Sequence, residues 1–353
     1  MRKNFCAAPW SGISIDPDGK AKVCCVSQDR VPLDSFAEIK SNQKFIEIRS
    51  AVINDEQPTN CKTCWEQESA SDEWTSRRSI YQYNDFYHNL ENATDFQLEH
   101  LDLRWSNTCN LNCVYCGPVF SSKWAELKGQ KQSFRVFPIV SDSDLTNLKM
   151  LQLAGGEPLL IKENLDLLNR CLVVNPDVEI EITTNLTNIK NNRIYECLKQ
   201  FKKVRWILSF ESTKKKFEYI RNGAVWDEFL SNLTQLTTDF KHVQVNMVYF
   251  PLSCTDIQQA IQIAMEYIPA NAIFFNPQIG GHGFDMLGQN ALQSINKSNA
   301  EFANQLPKVL KQRLLDQIQL ATTDRSSSHL PKYDEFDQLT NQNHREIFAE
   351  LYE

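Results

Sequence analysis

Six strand-like runs separated by helix-like stretches occur between residues 97 and 277, and this alternation constrains the fold more than any other feature of the chain. The six runs are LEHLDLRW (98–105), KMLQLAG (149–155), VEIEITT (178–184), VRWILSF (204–210), HVQVNMVYF (242–250) and AIFFNP (272–277). Strands separated by helices pair in parallel through right-handed crossovers. Six units are too few to close an eight-stranded barrel. The sequence therefore predicts an α/β fold with a partial (β/α)6 barrel, whose ligands collect at the carboxyl ends of the strands.

Three cysteines follow the first of these strands in the segment CNLNCVYC, at Cys109, Cys113 and Cys116. This position places them on the edge of the sheet where ligands are expected. A tetrahedral zinc ion needs four protein ligands, but the segment supplies three. Cys61 and Cys64 could complete a zinc site, although they lie farther away in sequence than zinc ribbons allow, and Cys109 would then have no role. Three thiolates on a short loop can instead hold three irons of a [4Fe-4S] cluster and leave the fourth iron open.

Four further segments lie at the ends of later strands or soon after them: GGEP (155–158), TTNLT (183–187), SFES (209–212) and YIRNG (219–223). Paired glycines allow a backbone to approach a ligand closely. Taken with the cysteine segment, these segments resemble the radical S-adenosylmethionine (SAM) superfamily. The resemblance implies that the SAM-binding residues are Tyr115, Gly155, Gly156, Glu157, Pro158, Asn185, Ser209 and Arg221.

The resemblance also implies the chemistry and the cofactors. In radical SAM enzymes the amine and carboxylate of SAM bind the open iron of the [4Fe-4S] cluster. An electron delivered through that iron cleaves SAM reductively to a 5′-deoxyadenosyl radical, which abstracts hydrogen from a substrate carbon. The cofactor carries this step, while the protein supplies binding, orientation and the exclusion of water. We expect a reducing electron donor of the flavodoxin or ferredoxin type as a partner.

The first 95 residues precede the strand–helix alternation and do not share its pattern. They contain a second group of cysteines. The segment ISIDPDGKAKV predicts a hairpin with a Pro-Asp-Gly turn, which brings Cys24 back toward Cys6. With Cys61 and Cys64, this region resembles the SPASM auxiliary-cluster domain or its shortened form, the twitch domain, placed before the barrel instead of after it. The resemblance implies one auxiliary iron–sulfur cluster, expected to be [4Fe-4S], with those four cysteines as ligands. Cys25 stays an alternative to Cys24, and four cysteines would suit zinc equally well.

We expect three parts in the chain: an auxiliary-cluster domain over residues 1–95, the partial barrel over 96–278 and a helical C-terminal extension over 279–353. With 353 residues, of which 42% are hydrophobic, the chain can form a large core and a smaller domain. The formal net charge of -7 and the absence of a basic block argue against a nucleic-acid partner. The sequence shows neither a signal peptide nor a membrane-spanning run, so we expect a cytoplasmic protein with no membrane partner.

Three functions remain open. The first is an oxidoreductase or maturase that modifies a peptide or protein side chain, because many members of the SPASM and twitch group mature ribosomal peptides. The second is a dehydrogenase or epimerase of the same chemistry that acts on a small molecule, such as a sugar or an aminoglycoside-like alcohol. In an oxidising enzyme, the auxiliary cluster would accept the electron left on the substrate radical. The third is a non-catalytic iron–sulfur or zinc protein, which the GGEP segment argues against.

The three remaining cysteines are not clustered in the sequence. Cys171 and Cys197 lie among leucines in helix-like stretches, so we expect them in the core. Cys254 follows the fifth strand, where it is a candidate catalytic residue that returns hydrogen to a substrate radical. The alternative is a structural residue at the start of a helix, beside a capping Ser253 or Thr255.

Overall fold

The computed structural model of the protein describes residues 4–70, 76, 78, 95–130, 140–276, 289–323 and 333–352. Their strands form one mixed nine-stranded sheet in the order β3-β2-β1-β4-β5-β6-β7-β8-β9. The strands are β1 (Gly12–Ile15), β2 (Lys20–Lys22), β3 (Val31–Pro32), β4 (His100–Leu103), β5 (Met150–Leu153), β6 (Glu179–Thr184), β7 (Val204–Ser209), β8 (His242–Val248) and β9 (Ile273–Asn276). Because β3 and β9 are the two ends of this order, the sheet is open, as a partial barrel requires.

The described α-helices lie between and after these strands. They are α1 (Ala8–Ser11), α2 (Gln43–Ile53), α3 (Lys62–Ala70), α4 (Ser122–Leu127), α5 (Asp142–Thr146), α6 (Lys162–Val174), α7 (Arg193–Leu198), α8 (Lys214–Ile220), α9 (Trp226–Asp239), α10 (Pro251–Cys254), α11 (Ile257–Tyr267), α12 (Gln289–Ala303), α13 (Lys308–Thr323), α14 (Tyr333–Thr340) and α15 (His344–Ile347). The helices after β9 confirm the expected helical character of the C-terminal region. None of the helices in the described ranges is long and apolar enough to cross a membrane.

All six strands predicted from the alternation are present, as β4 to β9, and β4 pairs in parallel with β5, β5 with β6, and β8 with β9. The predicted N-terminal hairpin is also present, with Ile15 of β1 opposite Ala21 of β2. Gly19 closes its turn with a φ of 77°, a conformation that costs glycine little. One pairing was not predicted: β1 lies parallel to β4, with Gly12 opposite His100, so the hairpin extends the main sheet.

Two compact units are distinguished in the chain, and each is assembled from several segments. The first unit comprises Met1–Thr108, Lys131–Ile182 and Asn192–Arg205. The second comprises Cys109–Gln130, Thr183–Asn191 and Trp206–Glu353. The expected division into an auxiliary domain, a barrel and a C-terminal extension stays a prediction.

In the first unit, the strand register gives the sheet one apolar and one polar face. Leu101 lies opposite Leu151, which lies opposite Ile180, and each of the three is 0% exposed. The next residues along the strands face the other way, since side chains alternate along a strand. They form a buried polar row of Ser14, Asp102, Gln152 and Glu181. The apolar face therefore supplies the hydrophobic core of this unit.

In the second unit, an aromatic cluster joins α8 to α9. The ring centroid of Phe217 lies 4.9 Å from that of Phe229 and 5.1 Å from that of Trp226. Phe210, just after β7, packs on Phe229 with a centroid distance of 5.2 Å. These rings fix α8, and Arg221 is the residue that follows it.

We expect Leu151→Ala to lower the free energy of unfolding by about 2–5 kcal/mol, because it removes a fully buried side chain and leaves a cavity. The matched control is Val173→Ala, since Val173 is 82% exposed and its loss should change little. Urea unfolding of the two variants, followed by circular dichroism, measures the difference. Equal unfolding midpoints would contradict the assignment of this face as the core.

Candidate functional site

The three-cysteine loop is anchored on the start of α4. The backbone N–H of Cys109 donates to Ser122 Oγ over 3.0 Å. The indole Nε1 of Trp124 donates to the carbonyl of Cys113 over 2.8 Å, and the N–H of Cys116 donates to the same carbonyl over 2.9 Å. Hydrogen bonds therefore fix each cysteine of the loop through its backbone.

The three thiols are electrostatic neighbours. Burial raises the pKa of Cys116 to about 12, and the thiols of Cys113 and Cys109 add to that rise. Burial also raises the pKa of Cys113 to about 11, although the guanidinium of Arg221 opposes the change. The structure thus brings together the three cysteines that the sequence predicts as one ligand set.

Two predicted SAM-binding residues lie beside these thiols. Asn185 Nδ2 is 3.9 Å from Cys109 Sγ and also donates to Asn110 Oδ1 over 3.1 Å. Arg221 Nη1 is 4.0 Å from Cys113 Sγ. Both side chains are buried, so they carry polar atoms into a region that excludes water.

A buried ion pair that the sequence did not predict fixes Arg221. Arg221 Nη2 donates to Glu211 Oε2 over 2.7 Å, and the two side chains are 3% and 0% exposed. Tyr115 donates its hydroxyl to Glu211 Oε1 over 3.3 Å, and the ring of Phe250 packs edge-on against the Tyr115 ring. Burial raises the pKa of the Glu211 carboxyl, while Arg221 and Tyr115 oppose the rise. The only sequence signal for Glu211 was an acidic residue within SFES, directly after a buried strand.

Arg221 keeps one buried donor for a bound group. Its Nε has no hydrogen-bond partner among the described residues, whereas Nη2 is used by Glu211.

The GGEP segment packs against the backbone that leads into the cysteine loop. A Cβ on Gly156 would lie 2.2 Å from the carbonyl oxygen of Thr108, and Gly155 has a φ of 109°. The N–H of Glu157 donates to the same Thr108 oxygen over 2.7 Å. Glu157 is 0% exposed, and its carboxylate accepts from the N–H of Leu159. The close approach that the glycines permit is therefore to the protein's own chain, directly before Cys109.

The remaining predicted residues are placed as follows. Pro158 begins a short 3-10 helix, and its carbonyl accepts from Asn164 Nδ2 over 2.9 Å. Ser209 is half-buried at the end of β7. Cys254 is 1% exposed and donates its thiol to the carbonyl of Pro251 over 3.0 Å, while Asn299 Nδ2 donates to the Cys254 carbonyl. These contacts fit a structural residue; the hydrogen-donor role of Cys254 stays a prediction.

The N-terminal cysteines converge on one pocket in the first unit. Cys6, Cys24, Cys61 and Cys64 all line it, whereas Cys25 is not among its lining residues. Burial raises the pKa of Cys6 to about 12, and the thiols of Cys61 and Cys64 add to the rise. Cys24 is 9% exposed, and the pKa of its thiol is raised by burial and by all four other cysteines of this region. The geometry therefore favours Cys24 over Cys25 as the fourth member of the set.

The C-terminal region supports the cysteine loop. Phe336 of α14 packs against Trp124, whose indole holds the Cys113 carbonyl, with ring centroids 5.5 Å apart. The same ring lies 5.3 Å from Tyr219 of α8. The sequence suggested no role for this region. In the structure it braces both the helix after the cysteine loop and the helix before Arg221.

Two family models match the chain. A model described as the radical SAM superfamily matches residues 103–263, and a model described as SPASM, an iron-sulfur cluster-binding domain, matches residues 6–65. The first range contains the three-cysteine loop and GGEP, and the second contains the four N-terminal cysteines. Both resemblances, the placement of the SPASM region before the barrel, and the implied cofactors SAM, [4Fe-4S] and an auxiliary iron–sulfur cluster are thereby confirmed.

Curated relatives match part of the chain. GTP 3′,8-cyclase of Clostridium botulinum is 27% identical over 154 residues, which cover 43% of this chain and 48% of the relative. GTP 3′,8-cyclase of Moorella thermoacetica is 27% identical over 164 residues, which cover 45% and 49%. The chain thus spans about half the length of these relatives.

Solved structures also match part of the chain. SuiB of Streptococcus suis bound to S-adenosylmethionine matches with a TM-score of 0.42 and 16% identity over 78% of this chain and 65% of that one. Another is anSMEcpe with bound AdoMet and the Cp18Cys peptide, with a TM-score of 0.38 and 15% identity over 57% of this chain and 59% of that one.

We expect Gly156→Ala to destabilise the protein by about 1–3 kcal/mol, because the added methyl group would overlap the backbone of Thr108. Gly117→Ala is the matched control, since a Cβ there meets nothing within 4 Å. Thermal unfolding of both variants without added iron isolates the steric effect from cofactor binding. A Gly156→Ala variant as stable as Gly117→Ala would contradict the described approach.

We expect Glu211→Gln to cost about 3–5 kcal/mol of unfolding free energy, because it leaves the buried charge of Arg221 without its counter-ion. Asp177→Asn serves as the control, since Asp177 and its partner Lys202 are exposed and their pairing contributes little. Chemical denaturation at neutral pH gives both values. A Glu211→Gln variant with the stability of the control would show that the pair does not hold the site together.

Proposed function

Because the chain belongs to the radical SAM superfamily and carries a SPASM domain at its N-terminus, we propose that it is an oxidising radical SAM enzyme. It removes hydrogen from a substrate carbon and passes the remaining electron to the auxiliary cluster. The observation that carries this proposal is the presence of two distinct cysteine sets, one of three thiols and one of four. Three thiolates leave an iron open for chemistry, whereas four complete a cluster that is suited to electron relay.

In this proposal Cys109, Cys113 and Cys116 hold the open cluster. Asn185 and Arg221 bind SAM, a role supported by their positions 3.9 and 4.0 Å from two of these thiols. When bound, the cluster and SAM supply a carbon-centred radical.

Other residues orient this set. Glu211 holds Arg221 and Tyr115 in place. It accepts a hydrogen bond from Arg221 Nη2, whereas Arg221 Nε has no partner among the described residues and can donate to the SAM carboxylate. The other proposed SAM-binding residues are Tyr115, Gly155, Gly156, Glu157, Pro158 and Ser209.

The auxiliary cluster is held by Cys6, Cys24, Cys61 and Cys64. Their convergence in one buried pocket supports this ligand set over one with Cys25. Burial keeps the unligated thiols neutral, so binding of the cluster releases their protons. A site of this kind is suited to accept the electron of a substrate radical, because it exposes no open iron.

The proposed substrate is a peptide or protein side chain, in line with the SPASM domain and the peptide-modifying group that it resembles. The second candidate is a small molecule; the curated relatives named GTP 3′,8-cyclase favour a nucleotide over the sugar or aminoglycoside-like alcohol that the sequence suggested. We further propose that the protein acts in the cytoplasm with a flavodoxin or ferredoxin as electron donor.

We expect wild-type protein, reconstituted anaerobically with iron and sulfide, to release 5′-deoxyadenosine from SAM under dithionite. The Cys109/Cys113/Cys116→Ala variant should release none and retain about four irons in its auxiliary cluster. Mass spectrometry scores the nucleoside, and a colorimetric assay counts the iron.

Zinc in place of iron, or equal release by both proteins, would overturn the proposal. Trials with a small peptide library and with nucleoside triphosphates then separate the two substrate candidates. Consumption of one class, with stoichiometric 5′-deoxyadenosine, identifies it.

A further inference from the structure

The four-cysteine pocket is also lined by three side chains that can donate hydrogen bonds: Ser27, Trp65 and Arg78. Ser27 Oγ and Trp65 Nε1 are buried and have no hydrogen-bond partner among the described residues. A buried donor without a partner is costly, because it has lost water and gained nothing in return. Both atoms are therefore free to donate to a bound group with acceptor atoms.

Each of these residues is linked to a different cysteine ligand. Ser27 is 5% exposed, and its backbone N–H donates to the carbonyl of Cys24 over 3.1 Å. Trp65 directly follows Cys64 in the chain. Arg78 Nη1 donates over 3.1 Å to the carbonyl of Phe5, the residue before Cys6. The three residues are therefore held next to three different members of the ligand set.

Arg78 brings a buried positive charge to the pocket. Its guanidinium is 4.2 Å from the centre of the Trp65 ring and is paired with Glu68. Arg78 lines the pocket, whereas Glu68 is not among its lining residues, so the positive member of the pair is the one at the pocket.

We propose that Ser27, Trp65 and Arg78 stabilise the reduced state of the auxiliary cluster and so raise its reduction potential. Reduction adds one electron, and therefore one negative charge, to a cluster already surrounded by four thiolates. Hydrogen bonds to sulfur and nearby positive charge favour the more negative state. The electron comes from the substrate radical, which is oxidised and loses a proton. The inference rests on the proposed auxiliary cluster and assigns these three residues as the ones that make it an electron acceptor.

The test uses the full chain with Cys109, Cys113 and Cys116 replaced by alanine, so that the auxiliary cluster alone gives the electron paramagnetic resonance signal during a potentiometric titration. Three variants of this parent are made separately: Arg78→Met, Trp65→Phe and Ser27→Ala. We expect Arg78→Met to reduce the ratio of reduced to oxidised cluster at the parent midpoint by about tenfold, which is about 59 mV for a one-electron couple. Trp65→Phe and Ser27→Ala should shift it in the same direction by less, because each removes one neutral donor.

Two controls separate electrostatics from structure. Arg49→Met removes a cation that binds the carbonyls of Pro9, Ile39 and Lys40 and does not line the pocket, so the midpoint should stay unchanged. Arg78→Lys keeps the charge and should stay near the parent value. If Arg78→Met does not fold, the midpoint potentials of the near-isosteric variants Trp65→Phe and Ser27→Ala test the inference. Unchanged or raised midpoints in these two variants would overturn the inference, whereas a parent without iron would overturn the auxiliary cluster itself.

Discussion

The close approach between Gly156 and the Thr108 carbonyl fixes the point from which the cysteine loop begins. Two hydrogen bonds, from Gly156 N–H to Ser106 and from Glu157 N–H to Thr108, hold that backbone in place. A Cβ on Gly156 would come within 2.2 Å of the Thr108 oxygen, so no other residue type fits without displacing it. Cys109 is bonded directly to Thr108, so this contact holds the residue after which the cysteine loop begins.

The loop itself is stabilised by different forces on its two sides. A buried pair, Glu211 and Arg221, places a guanidinium next to Cys113 in a region without water, where an unpaired charge would be costly. On the other side, Trp124 binds the Cys113 carbonyl and is covered by Phe336 from the C-terminal region. Electrostatics thus orients the groups around the thiols, while aromatic packing holds the backbone that carries them.

The two cysteine sets differ in the chemistry of their surroundings. The three-thiol set lies beside an arginine whose charge a carboxylate largely balances. The four-thiol pocket is lined by Arg78, which belongs to an ion pair, and by Ser27 and Trp65, whose buried neutral donors have no partner among the described residues. In the proposed enzyme the first set initiates radical chemistry with a bound cofactor, and the second receives an electron. The local donors and charges, rather than the cysteines alone, distinguish these two tasks.

The sequence by itself determined the six strands of the strand–helix alternation, the N-terminal hairpin and the grouping of the cysteines along the chain, because strand periodicity, turn chemistry and cysteine spacing are local properties. Only the tertiary structure decided which atoms meet across long stretches of chain. It showed that β1 joins β4, that Glu211 pairs with Arg221, and that Cys24 rather than Cys25 lines the pocket. Such contacts depend on packing between segments distant in sequence, and no local pattern encodes them.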